Sequence, residues 1–414
     1  MIRRTVRDIR RRNRSDVLQC TYAAGHPVNR QQIAAATGLS TATVATLTGE
    51  LLAAGVLHEV GQEDSRGGRP RARLSVNGAR GLLIGTDVSE DFVHIALFDL
   101  AMRVRGTFER PLDPGGSSPL DVVELVALGV DEVLRDSGAD RERVLGIGVS
   151  VPGLVEKEHG VSLLSVYGHW ENVPLKALLA ERLGFPLYLD NPLKASTVAE
   201  LWFGAGRGVD NLVVVTLRTG VGVGMALDGA LYRGVTNCAG EWGHTGLVRK
   251  GRGCRCGRLG CVEAYVSAPG ILQTLREADP HSPLPALEDQ RAAIAGLAEA
   301  VRRGEPAAVQ ALEDTGDHLG AAVSTLINTL NPRVLVLGDW TAQRLGEPLL
   351  DATRAAAARY ALAQPFNAVS MQLCRLPHNP VSMGAAAFAL EGFLADLASG
   401  AGRAGRGGAR PVRG

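Results

Sequence analysis

Cys254-Arg255-Cys256-Gly257-Arg258-Leu259-Gly260-Cys261-Val262-Glu263 crowds three of the chain's six cysteines into eight residues. In a long chain whose charged N-terminus, Met1-Ile2-Arg3-Arg4, shows no secretory pattern, a C-x-C-x-x-x-x-C run points to metal rather than to a disulfide framework. Tetrahedral zinc accepts three thiolates and needs one further nitrogen or sulfur donor; the alternative is three free buried thiols. Cys20, Cys238 and Cys374 stand isolated and read as structural. Ahead of the cysteine run, Leu212-Val213-Val214-Val215 reads as a buried strand leading into the glycine-rich hairpin Thr219-Gly220-Val221-Gly222-Val223-Gly224. Behind it, helices from about 288 to 330 precede a second apolar strand, Val334-Leu335-Val336-Leu337. That alternation predicts an α/β unit over 201–383.

A similar pattern lies upstream. Strand-like 82–85, 92–98 and 144–151, with a helical stretch near 118–136, predict another α/β lobe over 79–200. An apolar helix at about 384–397 is expected to pack back onto it. The Gly/Ala/Arg-rich tail, 399–414, can bury little apolar surface and is expected to be disordered. With 45% apolar and 21% charged residues the composition is globular, and no run approaches the length of a membrane span. The cytoplasm is the expected location.

Charge separates off a third region. Residues 1–73 hold twelve arginines, no lysine and six acidic residues, so a basic head of about +6 precedes a body of about −5. Within the head, 1–78, the run 30–44 has helix-turn-helix spacing: Ala34 is small where two helices cross, Gly38 permits the turn, and Val44 returns to the core. Ser40 is placed to cap a second helix with Val44, Leu47 and Leu51 on its inner face. Its other face offers Thr41, Thr43 and Thr46 to a major groove. That face carries no Arg or Lys, so phosphate affinity is assigned to Arg10, Arg11, Arg12, Arg14 and Arg30, and to Arg69 and Arg71 between two wing strands.

Taken together, Asn13-Arg14-Ser15 and the helix-turn-helix, Gly68-Arg69-Pro70, Val151-Pro152-Gly153, Asn191 with Ala199-Glu200, the 219–224 hairpin, Glu241-Trp242-Gly243-His244 and the cysteine run resemble the ROK family of repressors and sugar kinases. The resemblance covers nearly all of the chain except its tail. It implies a winged helix-turn-helix followed by two actin-like (ribonuclease-H-like) α/β lobes with a cleft between them, assembled as a homodimer or homotetramer. It also implies that His244 is the fourth ligand beside Cys254, Cys256 and Cys261. Four protein ligands leave no open position, so the Zn2+ is expected to be structural. Sugar hydroxyl contacts fall by resemblance on Asn191, Glu241, His244 and Glu263, groups able to accept or donate in a partly desolvated site.

Kinase chemistry is where the chain departs. A sugar kinase needs a carboxylate to take the proton from the attacking hydroxyl, and family enzymes place that Asp directly after the Asn. Here the pair is Asn191-Pro192. The first phosphate loop reads Asp87-Val88-Ser89-Glu90-Asp91, without its glycines and with two carboxylates where phosphate would come. Arg218 and Gly338-Asp339 replace glycines in two further loops, and Tyr167 replaces an Asn expected at the sugar. The expectation is a non-enzymatic, DNA-binding regulator, a repressor of carbohydrate-related genes, with a double-stranded operator as partner and a sugar or sugar derivative as effector. The alternative is an active ATP-dependent sugar kinase with a fused DNA-binding head.

Overall fold

The computed structural model describes residues 6–63, 71–112, 117–165 and 170–399. Arg69, Tyr167 and all of the tail beyond Ser399 lie outside the described residues. The chain forms two compact units, one built from the described residues up to 153, from 157–190 and from 381 onward, the other from 154–156 and 191–380.

In chain order the first elements are α1 (Val6–Ala24), α2 (Arg30–Thr37), α3 (Thr41–Ala53), β1 (Leu57–Glu63) and β2 (Arg71–Val76). Asn29 starts α2 through a capping box: its Oδ1 accepts from the Gln31 and Gln32 amides at 2.9 Å, while the Gln32 side chain accepts from the Asn29 amide at 2.8 Å. Gly38 ends that helix at φ +67°, in the left-handed region the tight turn requires. Ser40 then caps α3 by accepting from the Thr43 amide at 3.1 Å. Val17, Leu18, Ile33, Val44, Leu47, Leu51 and Leu74 form the buried centre of this three-helix head. β1 and β2 pair antiparallel as its wing.

Next come β3 (Leu82–Val88), β4 (Phe92–Asp99), β5 (Val104–Pro111), α4 (Pro119–Asp136), β6 (Val144–Ser150), β7 (Leu154–Glu156), β8 (Val161–Ser165), β9 (Trp170–Val173), α5 (Leu175–Leu183), β10 (Leu187–Asp190) and α6 (Pro192–Phe203). The chain continues through β11 (Leu212–Leu217), β12 (Val221–Leu227), β13 (Ala230–Leu231), α7 (Glu263–Val266), α8 (Ala268–Ala278), α9 (Gln290–Arg302) and α10 (Pro306–Leu330). It ends with β14 (Val334–Gly338), α11 (Asp339–Tyr360), α12 (Ala363–Ala368), β15 (Ser370–Leu373) and α13 (Pro380–Ser399).

Each unit holds one five-stranded sheet, ordered β5-β4-β3-β6-β10 in the first and β13-β12-β11-β14-β15 in the second. In both, the first three strands run antiparallel and the last two join parallel to the starting strand. This is the actin-like order, occurring twice. The partly exposed β5 and the two-residue β13 escaped the sequence reading because neither carries an apolar run.

The last helix begins at Pro380, four residues ahead of the expected start. Its 380–397 segment is also long and apolar enough to cross a membrane, with mean hydropathy 1.2, which corrects the expectation that no run approaches a span. It is 61% buried as a core helix against the first sheet. A Cβ on Gly148 would stand 1.7 Å from the Ala385 carbonyl oxygen, and one on Gly85 1.8 Å from that of Ser382, so two glycines let the helix backbone lie directly on β3 and β6.

Two arginines tie this helix to the head. Arg14, 6% exposed, donates to the Leu394 carbonyl at 3.0 Å and pairs with Glu50 of α3 at 2.6 Å. Arg80 donates to the Ala54 carbonyl just past α3 at 2.7 Å and lies over the Phe393 ring at 5.5 Å. Arg14 is therefore not among the arginines that face outward to phosphate: the sequence showed a basic run, and only the fold shows that one member of it is internal.

Candidate metal centre and nucleic-acid interface

The cysteine run folds as a tight knuckle. The Cys254 amide donates to the Arg258 carbonyl at 2.8 Å, the Gly257 amide returns to Cys254 at 2.9 Å, and Gly246 and Cys261 form an isolated antiparallel bridge. The short 3₁₀ turn Glu241–His244 brings the histidine alongside. One ligand atom from each of His244, Cys254, Cys256 and Cys261 lies within 4.8 Å of all the others. Cys254 Sγ is 3.7 Å from His244 Nδ1, and Cys256 Sγ is 3.7 Å from Cys261 Sγ. Thiolates about 2.3 Å from a tetrahedral zinc stand roughly 3.8 Å apart, so the edges of this cluster match that coordination. Nδ1 is the ring nitrogen turned to the sulfurs. Burial, with hydrogen bonds that the Cys254 thiol donates to Cys256 and Cys261 and the nearby Glu263 carboxylate, pushes that thiol up to about 12.

Glu263, 5% exposed, connects this knuckle to the β11–β12 turn. Its Oε2 accepts from the Val221 amide at 3.0 Å, its Oε1 lies 3.6 Å from Cys254 Sγ, and Arg255 reaches it at 3.4 Å while donating to the Thr219 carbonyl at 2.9 Å. Asn191 caps α6 by accepting from the Lys194 amide at 3.2 Å. Pro192 occupies the first turn, where proline's missing N–H costs nothing. Two of the four residues assigned to a ligand thus also hold the local backbone.

Glu241 is half-buried, and burial holds its carboxyl above the usual range, with Glu263 acting in the same direction and Lys194 and His244 against it. Lys194 escaped the sequence reading. Only 1% exposed, it donates from Nζ to the Ala239 carbonyl at 3.1 Å, two residues before Glu241. The one available signal was a charged residue three positions into a helix of mixed composition, and that pattern does not separate a solvated lysine from an internal one.

On the head, Ser40, Thr41 and Thr46 are exposed and Thr43 is half-exposed. The Thr43 hydroxyl is 2.8 Å from that of Ser40, and Thr46 donates to the Ala42 carbonyl at 3.1 Å. Ala45 and Gly49 continue this small, uncharged face. Arg30 donates to the Thr48 hydroxyl at 2.9 Å, while Arg71 is exposed at the start of the wing's second strand. In the phosphate-loop position, 89–91 is simply the turn between β3 and β4, closed by the Ser89 amide on the Phe92 carbonyl at 2.8 Å.

A winged-helix head, a twice-used actin-like sheet and a His/Cys cluster that could hold a metal define the class of protein. The chain belongs to the ROK family, whose model matches residues 84–391. It is 28% identical over 376 residues to a xylose repressor of Caldicellulosiruptor bescii, spanning 89% of this chain and 92% of that one. A crystal structure of a ROK family transcriptional regulator, a homologue of the Escherichia coli Mlc protein, matches with TM-score 0.75 and 26% identity over 94% of this chain and 98% of that one. A ROK family glucokinase from Streptomyces griseus, solved with glucose and AMPPNP, matches with TM-score 0.66 and 26% identity. All of that kinase chain is covered, but only 75% of this one.

Proposed function

We propose that this chain is a DNA-binding transcriptional repressor of carbohydrate-related genes, working in the cytoplasm, whose body senses a sugar or sugar derivative and carries out no phosphoryl transfer. The observation that carries the reading is the head. The glucokinase aligns along its whole length and leaves a quarter of this chain unmatched, whereas the ROK regulator matches 94% of it. α3 enters the major groove with Ser40, Thr41, Thr43 and Thr46 toward base edges and phosphates, while Arg30, Arg69 and Arg71 supply charge from the flanks. A homodimer or homotetramer places two heads on an inverted repeat.

Zn2+ held by His244, Cys254, Cys256 and Cys261 is structural, because four protein ligands complete its shell. It fixes the His244 ring so that Nε2 is the nitrogen left for a ligand hydroxyl, beside Asn191, Glu241 and Glu263. The absence of turnover follows from Pro192, which has no proton to accept or give where a general base is required. The test is binding to the chain's own promoter region against random DNA across a salt series. Preference for the promoter that persists as salt rises is expected, and equal affinity for both would overturn the reading. ATP consumption with any hexose would overturn the non-enzymatic part alone.

A further inference from the structure

Two of the residues assigned to a ligand come from different elements of the second unit, Asn191 from the start of α6 and Glu241 from the short turn that leads to His244. Lys194 reaches both. Its amide donates to Asn191 Oδ1 at 3.2 Å, which fixes the carboxamide so that Nδ2 is the end not engaged by the helix. Its side chain crosses to the other element, where Nζ donates to the Ala239 carbonyl at 3.1 Å.

A lysine only 1% exposed is unusual, because burying an ammonium is costly unless hydrogen bonds and an opposite charge answer it. Glu241 contributes that charge: burial raises its carboxyl, and Lys194 is the first of the neighbours that oppose the rise. A methionine would fill the same volume without burying a charge, so packing alone does not call for the ammonium. The segment that Lys194 reaches is also seated on β12. The Gly240 carbonyl accepts from the Val223 amide at 3.0 Å, and at φ +109° a Cβ on Gly240 would stand 1.9 Å from the Val223 carbonyl oxygen. The turn carrying Glu241 is thus fixed by backbone on the sheet side and by a buried ammonium on the helix side.

We propose that Lys194 is a positioning residue: it ties the Asn191 end of α6 to the 239–244 segment, so that Asn191 and Glu241 keep one spacing before any ligand arrives. A ligand that meets its partners already in place loses less affinity to ordering them. The effect on a ligand rests on the reading of Asn191, Glu241, His244 and Glu263 as a sugar site, whereas the tie itself is independent of that reading.

Hydrogen exchange of the full chain tests the tie in the wild type, in Lys194→Met, which keeps the length of the side chain but removes its charge and donor, and in Lys194→Ala. Circular dichroism checks the fold of both variants, and if Lys194→Ala does not fold, the comparison with Lys194→Met decides. Amides of 240–244 are expected to exchange about tenfold faster in the variants, with those of β11 unchanged. In Lys194→Ala, n-propylammonium should restore protection, since it returns the lost methylenes together with the charge. The same concentration of n-propanol, which fills the space without a charge, should not. Isothermal titration with D-xylose, and separately with D-glucose, should show binding to Lys194→Met about tenfold weaker than to the wild type. Unchanged exchange in a folded variant, rescue by both additives or by neither, or undiminished sugar affinity would each overturn the proposal. A wild type that binds neither sugar would count against the sugar site alone, and the exchange and rescue results would then decide the tie.

Discussion

The head and the second unit treat their carboxylates in opposite ways. In the head, Glu50 is surrounded by arginines: burial works to raise its pKa, but hydrogen bonds from Arg10 and Arg14 hold it below the usual carboxylate range. In the second unit Glu241 is partly buried and lies above that range in spite of Lys194 and His244. A carboxylate settled by its neighbours serves structure, locking α3 to α1 and, through Arg14, to the final helix. One that burial holds above its usual range, near a histidine and a lysine, is left poised to titrate.

The largest expected effect tests whether the knuckle depends on its ligand cluster. Cys256→Ser should lower bound metal from one equivalent per chain to well below that, measured by atomic emission. Unfolding of the second unit should shift down by several kcal/mol, an effect on the order of 10 °C for a unit of this size. Full metal retention in that variant would remove Cys256 from the shell. Next comes Arg14→Ala, which breaks the pair to Glu50 and the hydrogen bond to Leu394 together. Because Glu50 keeps Arg10 and is partly exposed, the cost should be about 2 kcal/mol rather than that of a fully buried pair. Protection of α3 amides from hydrogen exchange should fall while that of α10 stays unchanged. Equal loss in both helices would mean that the two regions are not separate in stability.

The fold was legible wherever apolar runs or caps wrote it. β3, β4, β6, β11 and β14 are buried on both faces and read directly as strands, and Asn29, Gly38 and Ser40 mark the turns of the head. The cysteine spacing pointed to the His/Cys cluster that could hold a metal, although only the family resemblance supplied His244. Long-range pairings were not legible, because nothing local distinguishes an arginine that faces solvent from one that meets its partner far along the chain. Arg14 with Glu50, Arg218 with Asp339 and Lys194 beneath Glu241 are all of that kind. The apolar helix at the end shows the same ambiguity in hydropathy: composition passes it as a span, and two glycines in the opposing strands reveal it as core.

Of smaller size is Ser40→Ala. Loss of the hydrogen bond from the Thr43 amide should cost about 1 kcal/mol of head stability. It should also weaken promoter binding similarly across sequences if the serine acts only as a cap, and unevenly if it also reads a base edge. Competition among promoter variants in a gel-shift series separates the two outcomes.

The smallest effect is the one that sets the two carboxylates directly against each other. Glu50 has a folded-state pKa below its unfolded value of about 4.3, so its contribution is present above that pH and is lost as pH falls through the folded value. Glu241 has a raised folded pKa, so stability is fully present below about 4.3 and declines as pH rises through the folded value. Acidification from neutrality should therefore relieve the second unit first and weaken the head only later. Glu241→Gln should flatten the first slope and leave the second unit slightly more stable at pH 7, whereas Glu50→Gln should destabilise the head at pH 7 and flatten the acid slope. Hydrogen exchange of α3 and of the Glu241–His244 turn, followed from pH 7 to 4 in both variants, reads each region separately. Slopes of the same sign in both would show that burial at Glu241 is outweighed by its cationic neighbours, and that the contrast between a settled and a poised carboxylate does not hold.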